Sequence, residues 1–518
     1  MRIVSVDQML AVERSADASG LSYDAMMRNA GRGIADWVHE HIPCGRSVVG
    51  LIGSGNNGGD TIIALTWLAQ WGLRTTAFLV KPRGDDPLLG EYLLQGGAVV
   101  DLSENTNLEF FEAALIPSAV LLDGILGTGL KLPLRGTLLK VMSSVSERVK
   151  NSSDMLKIAV DCPSGVDCDT GEVSEVTIVA DHTLYMAAMK QGLLRHPARS
   201  YAGELHYIGI GIEDLSEHLN DDLPVMMDQE LIGKILPQRP AHGHKGTFGT
   251  CLVIAGSPAF TGAAFLTGKA AYRAGCGLVH MATLQEVYHH LSGQLIEAVW
   301  TVLPGNQGAY DPLGADQLRH IILGVDSIVI GPGWGLSASN MAFLAALLDT
   351  IPADTPTLLD ADALKLLAEL DRWWTRLPDQ AVLTPHPGEM SVLTGLDIHE
   401  IQANRWAVAM EYAHHWQVNL VLKGAVSVLA SQKEGLWINP ASDTALATAG
   451  SGDILSGVIG GLLAQGVPAH ASSVLGVWVH ANAGKAAGRR LGTAISVTAL
   501  DILESLPAAF VKATEAGA

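Results

Sequence analysis

Three positions in the first half of the chain carry groups able to bind a ligand or move a proton. The loop GSGNNGGD, Gly53 to Asp60, combines Gly55, Gly58 and Gly59, which tolerate positive φ and close approach of a ligand, with the amides of Asn56 and Asn57 and the carboxylate of Asp60. A tight turn with Asp60 as a helix cap would account for the same residues. Asp123 precedes a second glycine loop, GILGTGLKLP, and Asp161 precedes CPSG, where Pro163 stiffens the turn. A lone aspartate in such a place is often a turn cap, but three polar loop entries in one fold favour a site. Asn57, Asp123 and Ser164 offer hard oxygen donors suited to an alkali or alkaline-earth cation, which leaves Asp161 as the acid/base candidate.

The second half carries loops of a different kind. In ATAGSGD, the run Gly450-Ser451-Gly452-Asp453 opens a long apolar stretch, so amides and a helix N-terminus would face a docking anion while Asp453 takes a proton from an attacking hydroxyl; a glycine turn with Asp453 as helix cap is the plainer alternative. VLKGAV puts Lys423 beside small residues whose exposed backbone could hold a nucleotide phosphate, although a plain turn would look the same. In TPHPGEM two prolines clamp His386 and aim its imidazole, level with the other strand ends, although a lone histidine is as often structural. The pairs His289-His290 and His414-His415, with His242 and His244, lack metal-ligand spacing and read as packing or surface residues. Cys162 and Cys168 match no redox motif, and the odd total of 5 cysteines without CxxC argues against a disulfide scaffold or structural zinc.

Short buried strands alternating with helices must position these loops. SVVGLIG, TTAFLV, AVLLDG and LKIAV each run into polar or glycine-rich residues, with helix-length segments between most of them, after two helices expected near Val6 to Ala18 and Tyr23 to Ile42. That pattern predicts a mainly parallel sheet covered on both faces, with ligands at the carboxyl ends of the strands. The acidic stretch near Gly211 to Asp228 suggests a boundary at residues 213 to 225, after which GTCLVIAGS, SIVIGPGWG, TLLDADAL, AVLTPHPGEM and NLVLKGAV begin a second α/β series. With 518 residues a two-domain chain is expected, spanning 1–215 and 225–512.

Composition narrows the function. Lys plus Arg number 33 against 53 Asp plus Glu, a net charge of −20 with no basic stretch, which excludes an ordinary nucleic-acid binder. An anionic ligand would need local attraction from backbone amides, helix ends or a bound cation. No apolar run reaches the roughly 18 to 20 residues of a membrane span. The charges at Asp7, Glu13 and Arg14 do not fit a signal or transit peptide, so the cytoplasm is the expected compartment.

Taken together and in order, GNNGGD, DGILGTGLKLP and DCPSG, followed by KGTFG, TGAA, GPGWG, LDADAL, TPHPGEM, LKGA and ATAGSGD, resemble the bifunctional NAD(P)H-hydrate repair enzymes over nearly the whole chain. That family joins an NAD(P)HX epimerase domain, with a Rossmann-like three-layer fold, to an ADP-dependent (S)-NAD(P)HX dehydratase domain of ribokinase-like α/β fold. Thr61 departs from the glycine often found after GNNGGD. The resemblance implies that Asn56, Asn57, Gly58, Gly59 and Asp60, with Gly127, Thr128, Gly129, Leu130, Lys131, Leu132 and Pro133, line the hydrated-dinucleotide site. Asp161 would contact substrate there, and Asn57, Asp123 and Ser164 would hold K⁺. In the second domain it implies that Ala263, Gly333, His386 and Asp453 contact substrate and that Lys423, Gly424, Ala425, Val426, Ser427 and Gly452 hold the adenine nucleotide. TGAA offers two alanines for the first of these positions. Mg²⁺ in the dehydratase domain, ADP consumed to AMP, and a homo-oligomer are further expectations. The rival readings are a ribokinase-like small-molecule kinase and a nucleotide-binding sensor with one inactive domain.

Overall fold

Val48 and Ile52 face one helical layer while Val49 and Leu51 face the other, and Val120 and Leu122 alternate in the same way with Leu121. A strand buried on both faces requires this, which is why SVVGLIG and AVLLDG read as unbroken apolar runs. The computed structural model describes every residue except 44, 103–107, 116–119, 151–154, 213–214, 216–221 and 516–518. It divides into two units, Met1–Pro224 and Val225–Ala518. The expected linker at 213 to 225 falls largely outside the described residues. Of its last residues, Leu223 and Pro224 accept hydrogen bonds from Arg2 and Ile3, whereas Val225–Met226 pairs with Gly435–Ile438 of the second unit.

The first unit is built on seven parallel strands in the order Ala98–Asp101, Thr75–Leu79, Val48–Ile52, Val120–Gly124, Leu156–Val160, His182–Met186 and Glu204–Ile208. Tyr23–His41 and Asn56–Gln70 contribute to one apolar layer, and Leu108–Ala114 and Gly136–Lys150 to the other. The chain leaves Val48–Ile52 toward one sheet edge and returns to its other side at Val120–Gly124. Such a switch point opens a crevice at the carboxyl ends of those two strands, and Asn57 and Asp123 lie there. A separate two-stranded ribbon pairs Ile3–Val4 with Met189–Lys190 and brings Lys190 near the start of the helix Val6–Ala18.

The second unit has a ten-stranded sheet, parallel except where Val428–Ser431 pairs with Asn419–Leu422 and with Gly435–Ile438. Its switch point lies between Thr250–Ile254 and Ser327–Ile330, the strands that run into the TGAA and GPGWG segments. From Ile454 to Ala464 every residue of the helix Ser451–Ala464 is buried, as befits a helix apolar all round. A Cβ on Gly457 would meet the Thr267 carbonyl oxygen at 2.2 Å, and one on Gly461 the Ala271 oxygen at 2.5 Å, so these glycines seat the helix against Thr261–Arg273. Some of the chain's 56 glycines, about 11% against a usual ~7%, therefore serve packing rather than binding loops. No described helix is long and apolar enough to cross a membrane.

Candidate functional site

In the first unit a cavity of about 760 Å³ opens at the switch point. Asn56, Asn57, Asp60, Gly127, Thr128, Gly129, Leu130 and Asp161 line it, together with Gly55, Glu13, Met27 and Lys190. Gly58, Gly59, Lys131, Leu132 and Pro133, expected to line the site, are absent from its wall. The glycines have a packing reason instead. Neither has positive φ, and a Cβ on Gly58 would meet the Gly53 carbonyl oxygen at 2.1 Å, while one on Gly59 would meet Met27 Sδ at 2.8 Å. Gly55 and Gly129, which do line the cavity, face open space and leave room for a ligand.

Asp161 holds a left-handed backbone, φ 63°, an uncommon conformation for a non-glycine residue. Its Oδ1 accepts hydrogen bonds from Lys190 Nζ at 2.5 Å and from the Met186 N–H at 3.0 Å, so the carboxylate is fixed in direction. Burial alone would lower the Lys190 ammonium, but attraction to Asp161 and the bond between them outweigh it and hold its pKa above the ordinary value. Asp60 is pushed well up by burial and then by the charges of Asp161 and Glu13, and Glu13 is itself raised by burial. Four carboxyls, those of Glu13, Asp24, Asp60 and Asp161, thus share the wall with the Lys190 ammonium, and burial with like charge nearby favours the protonated form of Asp60.

Asp123 is spent on Ser164, accepting from its Oγ at 2.5 Å and its N–H at 2.9 Å, and Ser164 Oγ in turn accepts from Leu126 N–H at 2.9 Å. Asn57 Nδ2 donates to the Leu126 carbonyl at 2.9 Å, while Asn57 Oδ1 is buried without a partner. An orphaned buried oxygen beside a carboxylate, a hydroxyl and a carbonyl suits a weakly hydrated cation. Thr61 donates to the Asn57 carbonyl at 2.8 Å, which ties the departing residue to the same loop.

In the second unit Lys423, Gly424, Ala425, Ser427 and Gly452 line a cavity of about 380 Å³. Val426 does not: it is buried, and its carbonyl accepts from Arg405 at 3.1 Å. Lys423 Nζ is 2.7 Å from Asp360 Oδ1, and Ser456 Oγ donates to Asp360 Oδ2 at 2.6 Å. Burial would lower Lys423, yet Asp360 and Glu389 hold it above its ordinary value. Asp453 sits in the first turn of Ser451–Ala464; burial and then the Asp360 charge raise its pKa to about 7. It is therefore a carboxyl poised to accept a proton near neutrality.

His386 is the N-cap of Pro387–Thr394, its Nδ1 accepting from Gly388 and Glu389 N–H at 3.0 and 3.2 Å. Burial, then Lys423 and Lys365, lower its pKa, so at neutral pH its Nε2 carries the remaining proton. Gly333, at φ 68°, packs so closely that a Cβ there would lie 2.7 Å from the Ala263 Cβ. Ala264 instead is buried beneath Gly256, so of the two alanines Ala263 belongs with Gly333.

Several wall residues escaped the sequence reading. Lys190 had a signal, being the only charged residue between Thr183 and Leu194. Asp360 stands in LDADAL, but its buried pairing with Lys423 spans 63 positions and no local spacing announces it. Glu13, Asn439, Asp443 and His480 reach the cavities from distant elements and left no pattern to find.

The first unit's cavity opens at the switch point of its sheet, and the second unit's opens where Lys423 follows the carboxyl end of Asn419–Leu422, so both lie where α/β enzymes hold their ligands. A family model described as YjeF-related protein N-terminus matches residues 23–192, and one described as NAD(P)H-hydrate dehydratase matches 251–508. The bifunctional NAD(P)H-hydrate repair enzyme of Moorella thermoacetica is 34% identical over 98% of this chain and 96% of its own length. That of Escherichia coli is 32% identical over 95% and 90%. An ADP/ATP-dependent NAD(P)H-hydrate dehydratase from Bacillus subtilis, co-crystallised with ATP and Mg²⁺, covers 56% of this chain and 99% of its own at 30% identity and TM-score 0.48. A hypothetical protein of Streptococcus mutans covers 56% and 100% at 26% identity and TM-score 0.50. The chain belongs to the bifunctional NAD(P)H-hydrate repair enzyme family, and its role is metabolite repair.

Proposed function

We propose that the first unit interconverts the R and S epimers of NAD(P)HX and that the second dehydrates the S epimer with ADP as phosphoryl donor, releasing AMP and phosphate. The observation that carries this reading is Asp453, a carboxyl with a pKa near 7 at a helix N-terminus beside the cavity that Lys423 and Gly452 line. In NAD(P)HX a hydroxyl sits on the ring carbon next to the dihydropyridine nitrogen, and hydroxide is a poor leaving group. Asp453 takes the hydroxyl proton as the oxygen attacks the β-phosphorus of ADP and AMP departs. The Gly450–Gly452 amides steady the moving phosphoryl. The ring nitrogen then expels phosphate, and loss of a proton from the adjacent carbon restores the double bond. Lys423, Gly424, Ala425, Ser427 and Gly452 hold the nucleotide, while His386, Ala263 and Gly333 contact the hydrated ring.

In the first unit Asp161 is the acid/base group, aimed by Lys190 and the Met186 N–H. Ring nitrogen-assisted loss and return of the C–O bond equilibrates the epimers within the cavity. Asn57, Asp123 and Ser164 fit K⁺, because Asn57 Oδ1 is buried without a partner. When bound, that ion would offset the buried Asp123 charge and fix the Leu126–Gly127 turn. No comparable free oxygen set is found for Mg²⁺ among the described residues: Asp360 is engaged by Lys423 and Ser456. Mg²⁺ would enter with the nucleotide diphosphate and offset its charge. Cytoplasmic location and a homo-oligomer belong to the same reading, the latter checked by light scattering.

The deciding experiment supplies mixed R,S-NADHX and follows recovery of dihydronicotinamide absorbance with Mg²⁺ and ADP, ATP or neither. Complete recovery faster than spontaneous epimerisation is expected. Recovery halting at the S fraction would refute the first-unit assignment. A stable phosphorylated product would turn the second unit into a kinase, and binding without turnover into a sensor.

A further inference from the structure

We infer that the first unit carries a second, previously unassigned metal site, a transition-metal site made by His182, Glu204 and His206. His182 and Glu204 are direct partners across two neighbouring parallel strands, and His206 lies two residues beyond Glu204, so all three share one sheet face. His182 Nδ1 is 2.9 Å from His206 Nε2 and 4.0 Å from Glu204 Oε2, and one donor atom from each of the three lies within 4.8 Å of the others. Ligand atoms around a tetrahedral zinc with bonds of about 2.1 Å stand about 3.4 Å apart, and the two individual separations bracket that spacing.

The chemistry of the donors selects the ion. Two imidazoles and one carboxylate suit Zn²⁺, Co²⁺ or Ni²⁺ and are poor partners for K⁺ or Mg²⁺. Trp37 tilts against both rings, 5.1 Å from His182 and 4.9 Å from His206, and stacks on His41 at 4.4 Å, forming an apolar wall on the helix side. Glu204 remains accessible, so an ion can enter and a water can complete the shell.

The site is separate from the epimerase cavity. His182 and Glu204 begin their strands, whereas Asp161 follows the carboxyl end of the parallel strand Leu156–Val160, so cluster and cavity lie at opposite ends of the sheet. Because Glu204–Ile208 is the last strand of the sheet, a metal there would tether an edge strand to its neighbour.

The test strips the full-length protein with chelator and dialyses it against Zn²⁺, comparing it with His182→Ala, His206→Ala and Glu204→Gln. The wild type is expected to retain one more zinc equivalent than the histidine variants and to show a zinc-dependent rise in Tm that they lose. Co²⁺ should give it the intense visible bands of a four-coordinate site. Circular dichroism and retained epimerisation establish that each variant is folded, and if His206→Ala is not, His206→Gln decides in its place. Equal zinc stoichiometry in wild type and folded variants, or cobalt spectra unchanged by the substitutions, would overturn the inference and leave only a histidine–histidine hydrogen bond.

Discussion

The Asp453 carboxyl ties catalysis, pH and stability together, and Asp453→Asn tests all three. With a pKa of about 7 instead of the ordinary 3.8, half of the side chain is ionised at that pH and about one-tenth one pH unit lower. Dehydration of S-NADHX should therefore fall about tenfold per pH unit on the acid side of 7, measured as kcat/KM in single-epimer assays. Replacement by Asn should flatten that limb and lower the rate by about 10²- to 10⁴-fold, the range for loss of a positioned general base. Stability should move the other way. A carboxyl whose folded pKa lies above its unfolded value stabilises the fold while protonated and withdraws that contribution as pH rises from about 4 to about 7. Raising a pKa from 3.8 to about 7 corresponds to about 4 kcal/mol, an upper bound because the amide also remains buried and polar. Asp453→Asn should thus be more resistant to denaturant than wild type at pH 8 and lose that advantage at pH 4. Retained dehydration, or an acid limb that persists in the variant, would refute the base assignment; equal stability at both pH values would refute the burial argument.

Lys190→Met leaves Asp161 buried without its cation and should destabilise the first unit by about 3–5 kcal/mol while abolishing epimerisation and sparing S-epimer dehydration, measured by denaturant unfolding and single-epimer assays. Gly58→Ala drives a methyl into the Gly53 carbonyl and should cost about 1–3 kcal/mol in unfolding experiments, with epimerisation declining in step with the folded fraction. Asn57→Ala removes the orphaned oxygen, so a K⁺-specific rise in Tm, measured against Na⁺ at equal ionic strength, should disappear.

The α/β alternation was legible because strands buried on both faces must be continuously apolar, and the loops were legible because ligands meet such sheets where strands end. For the same reason Asn57, Asp123 and Asp161 could be picked out as residues that follow or end apolar runs, and Asp453 as one that opens an apolar helix. Gly58 and Gly59 show the limit of that reasoning. Both look like ligand-facing glycines in a string of letters, but whether a missing Cβ admits a ligand, a backbone carbonyl as at Gly58 or a side chain as at Gly59 depends on what stands opposite.

Sequence by itself determined the two-unit α/β architecture, the order of the loops and the family, since each rests on local periodicity or on motifs in series. Tertiary structure alone decided that Lys190 aims Asp161, that Asp360 pairs with Lys423, that Ala263 rather than Ala264 meets Gly333, and that two histidines and a glutamate converge beside Trp37. The physical reason is the range of the interactions. Propensity and burial pattern act between residues a few positions apart. A pKa, a buried ion pair or a ligand set depends instead on dielectric and distance, set by elements that meet only after the sheet has formed.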